Sequence, residues 1–205
     1  MIVIVDCGVG NLSSILNMLR YLKIDAKISS KISDIESAEK LILPGVCAFD
    51  DVMKKLHDAG FISALQKKVM NQKTPVLGIC LGMQLFTKKS EEGITPGLGW
   101  IDAETKRFRF NGLNTNLKIP HMGWNTVKIH DGNTIYKGMD GEVRFYFVHS
   151  YYVQCNNPNN IITTTSHGVE FTSSLQSNNI YGVQFHPEKS HKFGMKLFKN
   201  FAELT

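Results

Sequence analysis

Val76-Leu77-Gly78-Ile79-Cys80-Leu81-Gly82-Met83-Gln84 is the stretch that decides the fold. Pro75 closes a polar linker, and Val76, Leu77 and Ile79 form the short apolar run of a buried parallel strand. Gly-x-Cys-x-Gly follows, and Leu81, Met83, Leu85 and Phe86 can carry on as a helix. A strand that turns directly into a helix around a nucleophile needs glycine on both sides. The turn is sharp, the backbone of the nucleophile is strained, and side chains two residues either way would collide. The nucleophile here is a thiol at the start of a helix, where the dipole and free amides favour the thiolate. Taken alone, Cys80 reads equally as a small buried hydrophobe, the commonest fate of a free cysteine.

A second stretch, Tyr181-Gly182-Val183-Gln184-Phe185-His186-Pro187-Glu188, supplies what a cysteine nucleophile lacks. Such a nucleophile needs a base, and the base needs an orienting acceptor. His186 and Glu188 stand two apart at a strand end, so both side chains point to one side. Pro187 between them holds the backbone out of a helix. Cys80, His186 and Glu188, with His191 nearby, also form a set of metal-ligand types. The spacing is not His-Glu-x-x-His, no Cys-x-x-Cys exists, and a metal leaves the glycines unexplained, so neither metal nor cofactor is expected.

The 205 residues are long enough for one sizeable core and are expected to form one domain over 1–205. The net charge of +5 is mild and no Lys/Arg run reads as a nucleic-acid tract. No apolar run reaches transmembrane length, and residues 1–5 read as a first strand rather than a signal peptide. Cys7, Cys47, Cys80 and Cys155 lack paired spacing, which predicts reduced thiols and a cytoplasmic location.

Periodicity predicts strands at 2–5, 27–29, 41–43, 100–110, 127–129, 143–153, 161–165, 171–175 and 180–185. It predicts helices at 12–22, at 49–70 with a break at Ala59-Gly60, and at 190–204. His121-Met122-Gly123-Trp124-Asn125 reads as a glycine-hinged loop, with core packing the natural role for Trp124. Gly8-Val9-Gly10 lacks the third glycine of a dinucleotide fingerprint. Leu41-Ile42-Leu43 runs into Pro44-Gly45, which exposes backbone amides at the carboxyl edge of the sheet, where open α/β sheets bind ligands.

Gly78 to Gln84 together with Phe185-His186-Pro187-Glu188 resembles the class I, triad-type glutamine amidotransferases, and the likeness runs nearly end to end. Within that family, His121 to Asn125 and His186-Pro187-Glu188-Lys189-Ser190 resemble the glutaminase subunits of imidazole glycerol phosphate synthases. The resemblance implies a flavodoxin-like α/β fold: an open, mostly parallel sheet with helices on both faces and an antiparallel insertion. It implies Cys80, His186 and Glu188 as the catalytic triad. The amides of Val46 and Leu81 become the oxyanion hole, where one donor is worth about 3–4 kcal/mol; Leu81, the residue after the nucleophile, also fits that role by position. Gly45, Gln84, Glu92 (toward the α-amino group) and the backbone at His149, Ser150 and Tyr151 (toward the carboxylate) are implied to hold glutamine. Asn11, Met122, Trp124 and Lys189 are implied to face a partner, a (β/α)8-barrel cyclase/synthase subunit that forms a heterodimer with the chain. Two positions depart from the family pattern: Cys7 stands where Tyr is usual, and Cys47 where Gly is usual, next to the Val46 donor.

The activity so implied is hydrolysis of glutamine to glutamate and ammonia through a cysteine thioester, with the ammonia passed to the barrel subunit in histidine biosynthesis. Three other readings stay open on sequence. One is a paralogous glutaminase feeding another synthase, such as one that builds amino sugars. Another is a catalytically silent docking module, and the last is a γ-glutamyl peptidase of related fold.

Overall fold

Strand β1 (Ile2–Val5) is buried at every position, with Ile2 and Ile4 in one core and Val3 and Val5 in another. A strand apolar on both faces belongs inside a parallel sheet covered on both sides. In the computed structural model, which describes residues 1–110, 117–130 and 134–204, that is where it lies. β1 pairs in parallel with β2 (Ala26–Ser29) and β3 (Lys40–Gly45), and β3 pairs with β4 (Val76–Cys80). The parallel part closes with a late strand, β13 (Ile180–Val183), on the far side of β4. The order β2-β1-β3-β4-β13 is the flavodoxin-like 2-1-3-4-5 arrangement.

Helices cover both faces. Helix α1 (Leu12–Tyr21) and the closing helix α6 (His191–Ala202) pack Ile15, Leu16, Leu19, Leu197, Phe198 and Phe201 on the Ile2 side. On the Val3 side lie α2 (Ile32–Ser37), α3 (Phe49–Asp58), α4 (Phe61–Gln66) and the short α5 (Leu81–Leu85). The break between α3 and α4 falls at Ala59–Gly60, as the spacing predicts. Among the described residues no helix is long and apolar enough to cross a membrane.

Beyond β13 the sheet turns antiparallel. β12 (Val169–Ser177), β10 (Tyr151–Cys155) and β6 (Ala103–Arg107) follow in order, and β5 (Lys89–Ser90) closes the edge in parallel with β6. β11 (Ile161–His167) and β8 (Lys128–Ile129) attach through β12. The antiparallel portion is thus an extension of the main sheet.

Two expectations are corrected here. His121 to Asn125 is not a loop: it lies in β7 (His121–Thr126), paired antiparallel with β9 (Arg144–His149) in a separate two-stranded sheet. Its Gly, Asn and His content is poor in strand formers, and the pairing with β9 overrides it. Its outward positions include Met122 and Trp124, so Trp124 is part-exposed and stacks on His191 instead of entering the core. The apolar run 143–153 is not one strand either. It breaks at Ser150 into β9 and β10, which serve different sheets. The alternation of Phe145, Phe147 and Val153 continues across the break, so no residue marks it.

The β4–α5 turn is the tightest point in the fold. A Cβ on Gly82 would lie 1.8 Å from the Leu43 carbonyl oxygen, and one on Gly78 would lie 2.5 Å from the Phe86 ring. Gly82→Ala must therefore push β3 away from α5, at a cost of about 3 kcal/mol, the upper end of overpacking penalties. The expected result in a thermal melt is a Tm lower by roughly 6 °C or more; an unchanged Tm contradicts this packing.

Candidate active site

Cys80 sits at the junction of β4 and α5 with φ 54° and ψ −111°. That conformation disfavours a side chain, and it holds only because the glycines allow β3 and α5 to close around it. The parallel register places Gly45, at the end of β3, beside Cys80. Val46 and Leu81 therefore follow directly from neighbouring strand ends.

The His-Pro-Glu segment arrives from β13, the other neighbour of β4. His186 Nδ1 and Glu188 Oε1 are 2.8 Å apart, and both side chains are nearly inaccessible to solvent. The turn locks itself in place. Ser190 Oγ donates to the His186 carbonyl at 2.6 Å and accepts the Tyr146 amide of β9 at 3.0 Å. His186 Nε2 has no partner at ordinary hydrogen-bond length and sits against the Cys80 sulfur. Burial alone would lower the imidazole pKa. The Cys80 sulfur, then the Glu188 carboxylate, outweigh burial and raise it to about 10. His186 is therefore a cation across the neutral range.

These groups open on a cavity of about 410 Å³, within the usual size of small-ligand sites. Val46, Cys80, Leu81, Gln84, Glu92, His149, Ser150, Tyr151, His186 and Lys189 all line it, so one hollow collects most of the site residues expected from sequence. Glu92 is half-buried and accepts the Phe49 amide at the start of α3 at 3.1 Å; burial raises its pKa. Gly45 and Asn11 lie behind the triad, around a much smaller space that also touches His186 and Glu188. Met122 and Trp124 stand apart on β7, exposed. Lys189 lies at the cavity and over the Tyr146 ring, 5.7 Å from its centroid. A roomier hollow of about 610 Å³ beside α3, floored by Met53, Ile62 and Leu98, contains none of the expected residues.

The family profile described as "Glutamine amidotransferase class-I" matches residues 3–204. The chain belongs to the class-I glutamine amidotransferase family. It is 54% identical to imidazole glycerol phosphate synthase subunit HisH 2 of Methanococcus maripaludis over 99% of both chains. It is 50% identical to the protein of the same name from Pseudomonas aeruginosa over the full length of both. Among solved structures it resembles PurLQS from Thermotoga maritima, with TM-score 0.72, 16% identity and coverage of 98% of this chain and 96% of the other. That likeness is one of fold.

Two residues without a role in the sequence reading also belong to this site. Gln184 places Nε2 3.6 Å from Cys80 Sγ, and Cys47 lines the cavity at φ 108°, a region that favours glycine. Gln184 had one signal in the sequence: it stands two residues before His186 in an extended segment, hence on the same side. Cys47 falls where the family pattern has glycine, and its positive φ is the physical reason for that preference.

The His186 pKa gives a direct test. Its folded value lies above the ordinary one of 6.5, so the pairing contributes stability that is complete below pH 6.5 and is lost as pH rises through about 10. Replacing Cys80 by Ser removes the stronger of the two raising partners. By NMR, the His186 ring should titrate near 10 in the parent chain and well below that in Cys80→Ser; the same midpoint in both contradicts the pairing.

Proposed function

We propose that this chain is the glutaminase subunit of an imidazole glycerol phosphate synthase, hydrolysing glutamine and delivering the ammonia to a (β/α)8-barrel cyclase subunit in histidine biosynthesis. The observation that carries the chemistry is the buried Cys80–His186–Glu188 array at the carboxyl edge of the sheet, open to a cavity of about 410 Å³. Identity of 50–54% to HisH 2 subunits over essentially whole chains supports the assignment to this synthase. Glutamine enters with its α-amino group toward Glu92 and its carboxylate toward the backbone at His149, Ser150 and Tyr151. The Cys80 thiolate attacks the side-chain carbonyl, and the amides of Val46 and Leu81 donate to the negatively charged oxygen that forms. The imidazolium of His186 then gives its proton to the departing nitrogen as the tetrahedral intermediate collapses, and ammonia leaves.

Charge drives the second half. Once the sulfur is acylated its negative charge is gone, and with it the first of the two influences that hold His186 above its ordinary range. The imidazole becomes a base able to take a proton from water, while Glu188 keeps it oriented. The hydroxide attacks the thioester, the γ-glutamyl–sulfur bond breaks, and glutamate leaves with the thiolate–imidazolium pair restored. One histidine serves as acid and then base because the state of the sulfur changes its pKa.

Ammonia in water is protonated and lost to the synthase, so direct transfer to a docked barrel is required. Asn11 beside the triad, exposed Met122 and Trp124 on β7, and Lys189 at the cavity are the residues assigned to that docking face; aromatic anchors of this kind often dominate interfaces. The test is ammonia release from glutamine by the chain alone and with the cognate barrel protein plus its nucleotide ligand. Release should be slow alone and at least about tenfold faster in the complex, a coupling of the usual size for linked sites. Full activity in the isolated chain contradicts the coupling. A glutamine-analogue label that leaves Cys80 unmodified in the complex contradicts the catalytic assignment and favours a docking module.

A further inference from the structure

Gln184 is fully buried. Its Nε2 donates toward Cys80 Sγ at 3.6 Å, and its Oε1 accepts from Gln84 Nε2 at 3.0 Å. Gln84 gives its other Nε2 proton to the Tyr151 carbonyl at 3.2 Å. That same carbonyl lies 2.7 Å from His149 Nδ1. A carbonyl only accepts, so His149 carries its proton on Nδ1 and offers Nε2 as an acceptor to His121 Nδ1, 3.0 Å away. His121 Nε2 in turn accepts from Asn125 Nδ2 at 3.1 Å. Asn125 is fixed at both ends of its amide, donating to the Ser166 carbonyl at 2.9 Å and accepting the Thr126 amide at 2.8 Å. Every hydrogen along the chain of contacts is thereby determined by its neighbour.

The pattern is stable to pH. Burial, with repulsion from His167, lowers His121 to about 4, and burial lowers His149 to about 3 against the bond to Tyr151. Both rings stay neutral in ordinary buffers, and neither needs to change its tautomer. The consequence falls on the last member. A glutamine amide that flipped would aim its oxygen at the sulfur and repel a thiolate. The Gln84 proton on Oε1 forbids that flip and keeps the N–H side toward Cys80.

We propose that Gln184 is a further catalytic residue of the glutaminase reaction, holding the Cys80 sulfur in place and steadying its negative charge through the Nε2–H donor, with its orientation set by Gln84 and the buried Tyr151–His149–His121–Asn125 chain. This rests on Cys80 being the nucleophile, as proposed above. Gln184→Leu keeps the approximate volume and removes the donor. Gln184→Glu keeps the shape and the acceptor that Gln84 needs, and turns an oxygen toward the sulfur.

With the barrel partner present, each variant should lose about 10- to 100-fold in kcat, the effect of one hydrogen bond to a charged group. The glutamine KM should stay within about threefold, since the lost contact is to the nucleophile and not to the ground-state substrate. In the isolated chain, peptide-resolved alkylation by iodoacetamide should slow at Cys80 and stay unchanged at buried Cys7, a control that a general loosening of the fold would not leave intact. If Gln184→Leu does not fold, Gln184→Glu carries the test. Parental kcat and parental Cys80 alkylation in a folded variant overturn this inference alone. A parent chain that turns over glutamine with Cys80 never acylated overturns the nucleophile assignment, and this inference with it.

Discussion

Cys80 is held at positive φ where β4 turns into α5, a helix that lies too close to β3 for any side chain at position 82. The rest of the site is arranged around that constraint. Strain of this kind costs about 1–3 kcal/mol and persists only where surrounding structure over-determines it. Here β3 and β13 flank β4 in parallel register, and the two apolar cores clamp the sheet from both faces. The same register brings the Pro-Gly strand end and the His-Pro-Glu turn to the two sides of one sulfur. Open parallel sheets bind ligands outside the carboxyl ends of their strands, and the site lies at that edge.

Electrostatics then divides the buried histidines into two kinds. His186 has a carboxylate on one nitrogen and a sulfur near the other, and it is held cationic. His149 and His121 make their hydrogen bonds to carbonyl, amide and imidazole groups among aromatic rings, and burial holds them neutral. All three are almost inaccessible, so burial does not distinguish them; their partners do. Both ring nitrogens of His149 are engaged, one by the Tyr151 carbonyl and the other by His121.

The fold's parallel half was legible because its signals are local: apolar runs, helical spacing and two glycines flanking a cysteine. The meeting of Cys80, His186 and Glu188 was legible for the same reason, since Gly-x-Cys-x-Gly and His-Pro-Glu each carry their own backbone geometry. β7 was not legible, because Gly123, Asn125 and His121 are poor strand formers and only pairing with β9 makes them one. The break at Ser150 was hidden because the alternation of apolar residues runs through it into a different sheet. The contact of Gln184 with Cys80 joins residues 104 apart in sequence, and no spacing rule reports a partner at that distance. The consequence of Cys47 was half legible: the departure from glycine was visible, and the positive φ that makes it costly was not.

The central claim is that glutamine is opened by covalent attack from Cys80. Rapid quenching in acid of the complex during turnover, followed by peptide-resolved mass spectrometry, measures it most directly. A γ-glutamyl adduct on the peptide carrying Cys80, absent in Cys80→Ser, is the predicted result. Turnover with Cys80 unmodified, or with the adduct on another residue, contradicts it.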